Sequence, residues 1–127
     1  MNAVVLDASA ILAMTSGEPG AERVKSVLAQ SVATTVNFAE VVGYLMRRGV
    51  SETATREMLI PLPICWAEFD EDLAYRAGIL APETRAAGLS LGDRACLALA
   101  QRLGAPALTA DRAWRTVDVG VAVEIIR

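Results

Sequence analysis

Four acidic residues far apart in the chain, Asp7, Glu40, Asp93 and Asp111, are the groups in this sequence that could do chemistry together. The 127 residues include no histidine. That removes Ser–His and Cys–His nucleophile pairs and histidine-rich zinc sites at once. Catalysis by this chain therefore has to use carboxylates, hydroxyls, arginine, or a metal held by oxygen. Asp7 ends the apolar run Val4-Val5-Leu6, and Asp111 follows the shorter run Ala107-Leu108-Thr109. Both runs lack alternation, as expected of strands covered on two faces in a parallel sheet, and ligands of such sheets bind beyond the carboxyl ends of the strands. Glu40 and Asp93 sit early in helical stretches that would be entered from the same rim.

Each acid also has a local explanation. Asp7 could cap the helix starting Ala8-Ser9-Ala10, and Asp111 could cap the turn through Arg112, Ala113 and Trp114. Ser90 followed three residues later by Asp93 resembles a capping box. Glu40 projects into a mostly apolar stripe, with Val36, Gly43 and Tyr44 one turn away. An unpaired charge there is costly, so a partner or a metal is implied unless the position is an exposed edge with its carboxylate in water. Four separate accidents on one rim are less probable than one site.

If the four converge, they demand a cation. Two carboxylates about 4 Å apart repel by roughly 1 kcal/mol in water and about 4 kcal/mol at an effective dielectric of 20. Oxygen-only ligands select hard ions, Mg²⁺ or Mn²⁺, which can activate a bound water and neutralise phosphate charge. Ser9 and Thr109, each two residues from an acid, could donate to a ligand carboxylate or a coordinated water, or make local turn hydrogen bonds.

The elements that must position these groups follow from the patterning. After the first strand come a short helix over Ala8–Met14, a break at Ser16–Gly20 and an amphipathic helix over Ala21–Ala29. A strand over Val32–Thr34 leads into a helix from about Val36 to Arg48. A further helix runs from Ser51 to about Leu59. Pro61 and Pro63 then make the extended segment Leu62–Trp66 an edge strand. Glu68–Leu80 reads as helix, restarted at Pro82. The helix Leu91–Leu103 closes at Gly104, and Val119–Ile126 supplies a last strand. The acidic group Glu68, Asp70, Glu71 and Asp72 reads as helix-dipole compensation without function. Alternation of strand and helix predicts an α/β fold, three layers α/β/α around a central, mainly parallel sheet of four or five strands. Residues 1–127 fit one domain, and 54% hydrophobic content suffices for its core.

No apolar run approaches the roughly 18 residues of a membrane span, and no secretory signal is visible, so the expectation is a cytoplasmic protein. Cys65 and Cys96 form no C-x-x-C pair and read as reduced core residues. The formal charge of −3 argues against a grip on nucleic acid through bulk positive potential. It leaves Arg47, Arg48, Arg94, Arg112 and Arg115 as candidate phosphate contacts. Trp114 reads as core or as a base-stacking platform.

The segments Val-Val-Leu-Asp7-Ala-Ser9-Ala-Ile-Leu-Ala with Glu18-Pro19-Gly20, Val36-Asn37-Phe38-Ala39-Glu40-Val41, Leu89-Ser90-Leu91-Gly92-Asp93-Arg94-Ala95-Cys96, and Leu108-Thr109-Ala110-Asp111-Arg112-Ala113-Trp114 resemble the PIN-domain ribonucleases. Within that family they resemble the VapC toxins of toxin–antitoxin modules. The resemblance spans nearly the whole chain, and it is the order and spacing of the motifs that make it specific. It implies a metal site of Asp7, Glu40, Asp93 and Asp111 and Mg²⁺- or Mn²⁺-dependent cleavage of RNA. It also implies a homodimer and neutralisation by a VapB-type antitoxin whose tail brings a basic group near the acids.

Other classes fit less well. Neither G-x-G-x-x-G nor a P-loop is present, and a receiver-type phosphoacceptor would pair acids after the first strand and place a lysine after a late one, whereas the single lysine is Lys25. The remaining alternative is a non-catalytic module of the same fold that binds RNA or a protein.

Overall fold

The structure, a computed structural model, describes residues 2–127. Five strands form one wholly parallel sheet: β1 (Val4–Leu6), β2 (Ser31–Thr34), β3 (Cys65–Ala67), β4 (Ala107–Thr109) and β5 (Val123–Ile125), in the spatial order β3-β2-β1-β4-β5. The helices are α1 (Ala8–Thr15), α2 (Ala21–Val27), α3 (Thr35–Arg47), α4 (Glu52–Leu59), α5 (Glu71–Ile79), α6 (Ala81–Thr84) and α7 (Leu91–Leu103), with 3-10 turns at Leu28–Gln30 and Arg112–Thr116.

The apolar run of β1 divides between two cores because alternate strand residues face opposite ways. Val4 and Leu6 join Ile11, Val24, Val41 and Leu45, from α1, α2 and α3. Val5 joins Leu73, Ala77, Leu97 and Trp114 on the other face. The expected three-layer α/β/α architecture is what this partition produces. Gly104 ends α7 in the left-handed conformation (φ 62°), which closes the helix before β4. Trp114 is fully buried, so it packs in the core and offers no face to a base. Its indole N–H has no protein partner among the described residues. Trp114→Ala is expected to cost about 3–5 kcal/mol, read from urea unfolding, because it empties a site the core cannot collapse into.

Several boundaries differ from expectation. β3 starts at Cys65 rather than Leu62, because Pro61 and Pro63 hold the preceding chain outside the ladder. Cys65 lies exposed on that edge strand instead of in the core, whereas Cys96 is buried as expected. The last strand shrinks to Val123–Ile125. Asp70 accepts from Leu73 N–H at 2.9 Å and caps α5, so that helix begins three residues later than predicted. Of the acidic group around it, Asp70 and Asp72 pair with Arg102, and Asp72 also pairs with Arg76. α2 buries Ala21, Val24 and Val27 and leaves charged residues outside. The exposed large apolar side chains include Tyr75 and Ile79 on α5, Leu91 on α7, and Phe38 and Met46 on α3.

Candidate active site at the carboxyl edge of the sheet

The chain order reverses between β1 and β4: β2 and β3 are laid to one side of β1, β4 and β5 to the other. This is the point in an open parallel sheet where helices diverge and a crevice forms. Asp7 and Thr109 occupy the ends of these two strands.

Asp7 is only 2% exposed. Its Oδ1 accepts from Ser9 Oγ (2.7 Å) and from Ala10 N–H (2.9 Å), and its Oδ2 accepts from Thr109 Oγ1 (2.7 Å). Because each hydroxyl has one proton and gives it to Asp7, the 3.2 Å approach of Ser9 Oγ to Thr109 Oγ1 is a close contact without a bridging proton. Both hydroxyls also accept, from Ala110 N–H (2.9 Å) and Asp111 N–H (3.0 Å). Ser9 and Thr109 therefore fix Asp7 and lock the loop leading to Asp111. Burial pushes the Asp7 carboxyl up from its ordinary 3.8 to about 6, against the pull of three hydrogen bonds, and Asp93 adds to the rise.

Glu40 stands on the second turn of α3. It is exposed, but its carboxylate lies against the Cα of Gly92 in the first turn of α7, where an added Cβ would collide with it. Asn37 Nδ2 donates to Glu40 Oε1 at 2.8 Å, which supplies the partner this glutamate requires. Asp93 accepts from Ser90 N–H at 2.8 Å while Ser90 Oγ accepts from Asp93 N–H at 3.2 Å, so the capping box is real. Partial burial raises the carboxyls of Glu40 and Asp93, with Asp93 adding to the rise at Glu40 and Asp111 to that at Asp93. Asp111 Oδ1 accepts from Ala113 N–H at 2.9 Å and caps the 3-10 turn. Beneath the acids, the buried Cys96 thiol is held well above its usual value, first by burial and then by Asp7, Asp93 and Glu40.

The local explanations hold, and the acids also influence one another. Three of the acids cap helices or turns, yet Asp7 and Glu40 each feel Asp93, and Asp93 feels Asp111. Glu40, Asp93 and Asp111 each spend one oxygen on a local hydrogen bond. Among the described residues, no three acidic or thiol groups are gathered tightly enough to enclose an ion. The oxygen donors suit Mg²⁺ or Mn²⁺, and a Mg²⁺ site of one or two carboxylates with several waters needs no enclosing cage. The acids present would take such an ion only as a water-rich, open site.

The arginines divide. Arg112 and Arg115 are exposed on the turn after Asp111, and Arg112 Nε also donates to the carbonyl of Arg127 at 3.2 Å. Arg94 is half-buried and donates to the Ala77 carbonyl at 3.0 Å, which fixes α7 to α5. Arg47 and Arg48 lie at the far end of α3, about 10 Å along the axis from Glu40 at the usual helical rise, and Arg48 sits 4.7 Å from the centre of the Tyr44 ring. This pair is remote from the rim. An apolar groove of about 750 Å³ opens on the same side as Glu40's helix, between α3, α4 and β3, with Phe38, Met46, Ile60 and Trp66 among its walls.

The PIN-domain sequence profile matches residues 4–120. The chain belongs to the PIN-domain family. No curated sequence is significantly similar to it. Among solved PIN-fold structures, a toxin–antitoxin complex from Klebsiella pneumoniae superposes with a TM-score of 0.76 at 21% identity, covering 98% of each chain. VapC20 of Mycobacterium tuberculosis, described as a sarcin-ricin loop cleaving toxin, matches with a TM-score of 0.69 at 16% identity over 94% of this chain and 98% of that one. A member of the VapBC family of toxin–antitoxin systems, VapBC-5 of the same organism, gives 0.66 at 23% identity over 100% and 99%. At these identities the likeness is one of fold. This PIN domain contains no helix long and apolar enough to cross a membrane among the described residues.

Two further residues have clear roles in the rim, Asn37 and Gly92, which the sequence shows only as parts of motifs. The regular spacing Thr34-x-x-Asn37-x-x-Glu40 was a usable signal for Asn37, since residues three apart meet on a helix. Gly92 had none, because the carboxylate that needs its bare Cα comes from another helix.

Proposed function

We propose that this PIN domain is a Mg²⁺- or Mn²⁺-dependent endoribonuclease, the toxin half of a toxin–antitoxin pair, acting through Asp7, Glu40, Asp93 and Asp111. The observation that carries the proposal is the buried Asp7 at the strand-order reversal, held by Ser9 and Thr109 and electrostatically joined to Asp93. A buried carboxylate raised to about 6 beside further acids is costly for folding alone and suits a cation site.

When bound by these acids, a divalent ion lowers the pKa of a coordinated water and offsets charge on a phosphodiester. The chain's own residues do the rest. Ser9 and Thr109 hold Asp7 in one rotamer, so that its position is set before substrate arrives. The capping box anchors Asp93 to the rigid first turn of α7. Arg112 and Arg115 stand beside Asp111, where phosphates of an RNA strand can be met without a basic surface elsewhere.

Partners follow from the same reading. Structures similar to this one include toxin–antitoxin complexes, and a VapB-type antitoxin is the proposed partner. The apolar groove beside α3 would take its apolar residues, and a basic group on its tail would reach the acids. The domain is also proposed to form a homodimer, with Tyr75, Ile79 and Leu91 as candidate contacts.

The test is incubation of the purified chain with RNA in Mg²⁺, in EDTA, and as Asp93→Asn. Cleavage in Mg²⁺ that disappears in EDTA and in the variant supports the nuclease. RNA binding that neither change affects, without cleavage, would identify a non-catalytic PIN module instead.

A further inference from the structure

We propose that Asn37 is the positioning residue that seats the Glu40 carboxylate on the bare Cα of Gly92, next to Asp93. The inference rests on the nuclease reading and deepens it. Asn37 is 1% exposed, and both amide protons and the amide oxygen have partners. Oδ1 accepts from Thr34 Oγ1 at 2.9 Å, and Nδ2 donates both to Glu40 Oε1 at 2.8 Å and to the Gly92 carbonyl at 3.1 Å. The amide has one workable orientation. Turned over, it would set Oδ1 against two acceptors and leave the Thr34 hydroxyl facing a donor. Thr34 Oγ1, which also accepts from Asn37 N–H at 3.1 Å, fixes the side chain from the strand end.

Gly92 completes the seat from the other helix. It lies in the first turn of α7, outside the left-handed region, so backbone conformation does not require glycine there. Alanine is the better helix former. The space that a methyl group would take is occupied by the Glu40 carboxylate. Glycine at 92 is thus explained by Glu40, and the position of Glu40 by Asn37. A glutamate at an exposed rim would otherwise extend into water, away from the like charge of Asp93.

The test titrates Mn²⁺ alone into the full chain by calorimetry, without RNA, for the wild type, Asn37→Ala, Gly92→Ala, Glu40→Gln and Asn37→Ala/Glu40→Gln. Asn37→Ala and Gly92→Ala are each expected to weaken Mn²⁺ binding about tenfold or more, the scale for groups that orient metal ligands. In the Glu40→Gln background, Asn37→Ala should change the affinity by less than about twofold, because both changes act on one contact. In ion-free protein, the Asn37 side-chain amide proton resonances should shift on Glu40→Gln. Gly92→Ala, a helix-favouring change, keeps the test open if Asn37→Ala fails to fold. Unchanged Mn²⁺ affinity in both Asn37→Ala and Gly92→Ala would overturn the inference. So would an equal loss from Asn37→Ala in the presence and absence of Glu40, which marks a merely structural residue. Either result would leave the nuclease reading standing if Glu40→Gln alone weakens binding. Wild-type protein that fails to bind Mn²⁺, or Glu40→Gln that binds it as the wild type does, would overturn both.

Discussion

Asp7→Asn is expected to reduce RNA cleavage at least about a hundredfold, beyond the range for groups that merely orient metal ligands, while leaving the ion-free protein as stable as the wild type or more so at pH 8. The two effects share one cause. With its carboxyl raised from 3.8 to about 6, Asp7 is ionised at pH 8 at a cost of about 3 kcal/mol relative to an unfolded chain. Asparagine keeps the Oδ1 acceptor that caps α1 at Ala10 and removes the buried charge. The second oxygen becomes a donor facing Thr109, whose hydroxyl has to turn, so the net gain should fall to about 1–2 kcal/mol. Thermal melts in EDTA measure it. A markedly lower melting temperature for the variant at pH 8 would show that Asp7 serves chiefly as a structural cap.

Opposite pH trends with and without a divalent ion form the second expected result. For an acid whose carboxyl is raised in the folded state, the folded protein binds the proton more tightly than the unfolded one. The stability it contributes is fully present below the unfolded value, 3.8 for Asp7, and is lost as the pH rises through about 6. Ion-free protein should therefore grow more stable, as far as Asp7 is concerned, on going from pH 7.5 down to 4.5, with Asp93 and Glu40 adding in the same direction. Mn²⁺ reverses the sense, since an ion bound to these carboxylates competes with protons. Its apparent affinity should fall about tenfold for each pH unit below 6 that one proton must be displaced. Melting temperature with and without Mn²⁺ across this range is the measurement. A stabilisation by Mn²⁺ that is the same at pH 5 and pH 7.5 would place the ion elsewhere.

On the proposed function, an acidic PIN domain has to accept a polyanion. Its formal charge is −3, and Asp93 stands near enough to Asp7 and Glu40 to raise both carboxyls. A divalent ion there would change the local field more than any surface arginine could. Arg112 and Arg115 would then orient the strand, while Arg47 and Arg48 stand at the C-terminal end of α3, two turns beyond Glu40. Charge alone does not reveal which end of a helix faces the crevice, so sequence does not separate these arginines.

What could be read from the chain is what depends on neighbours a few residues away. Asp7 before Ala8-Ser9-Ala10, Ser90 with Asp93, Asp111 before Ala113 and Gly104 after Leu103 are all governed by hydrogen bonds spanning two to four residues, so their types and spacing carry the information. The doubly covered sheet was visible for a related reason, since an apolar run without alternation has no wet face to offer. Tertiary structure decided the rest. Cys65 came to the surface because β3 is an edge. α2 turned its apolar side wholly inward. The Glu40 carboxylate came to rest on Gly92, 52 positions on, held by an asparagine that bridges α3 and α7. Such contacts exist only once two helices are packed at a particular angle and depth, and no local pattern encodes that distance.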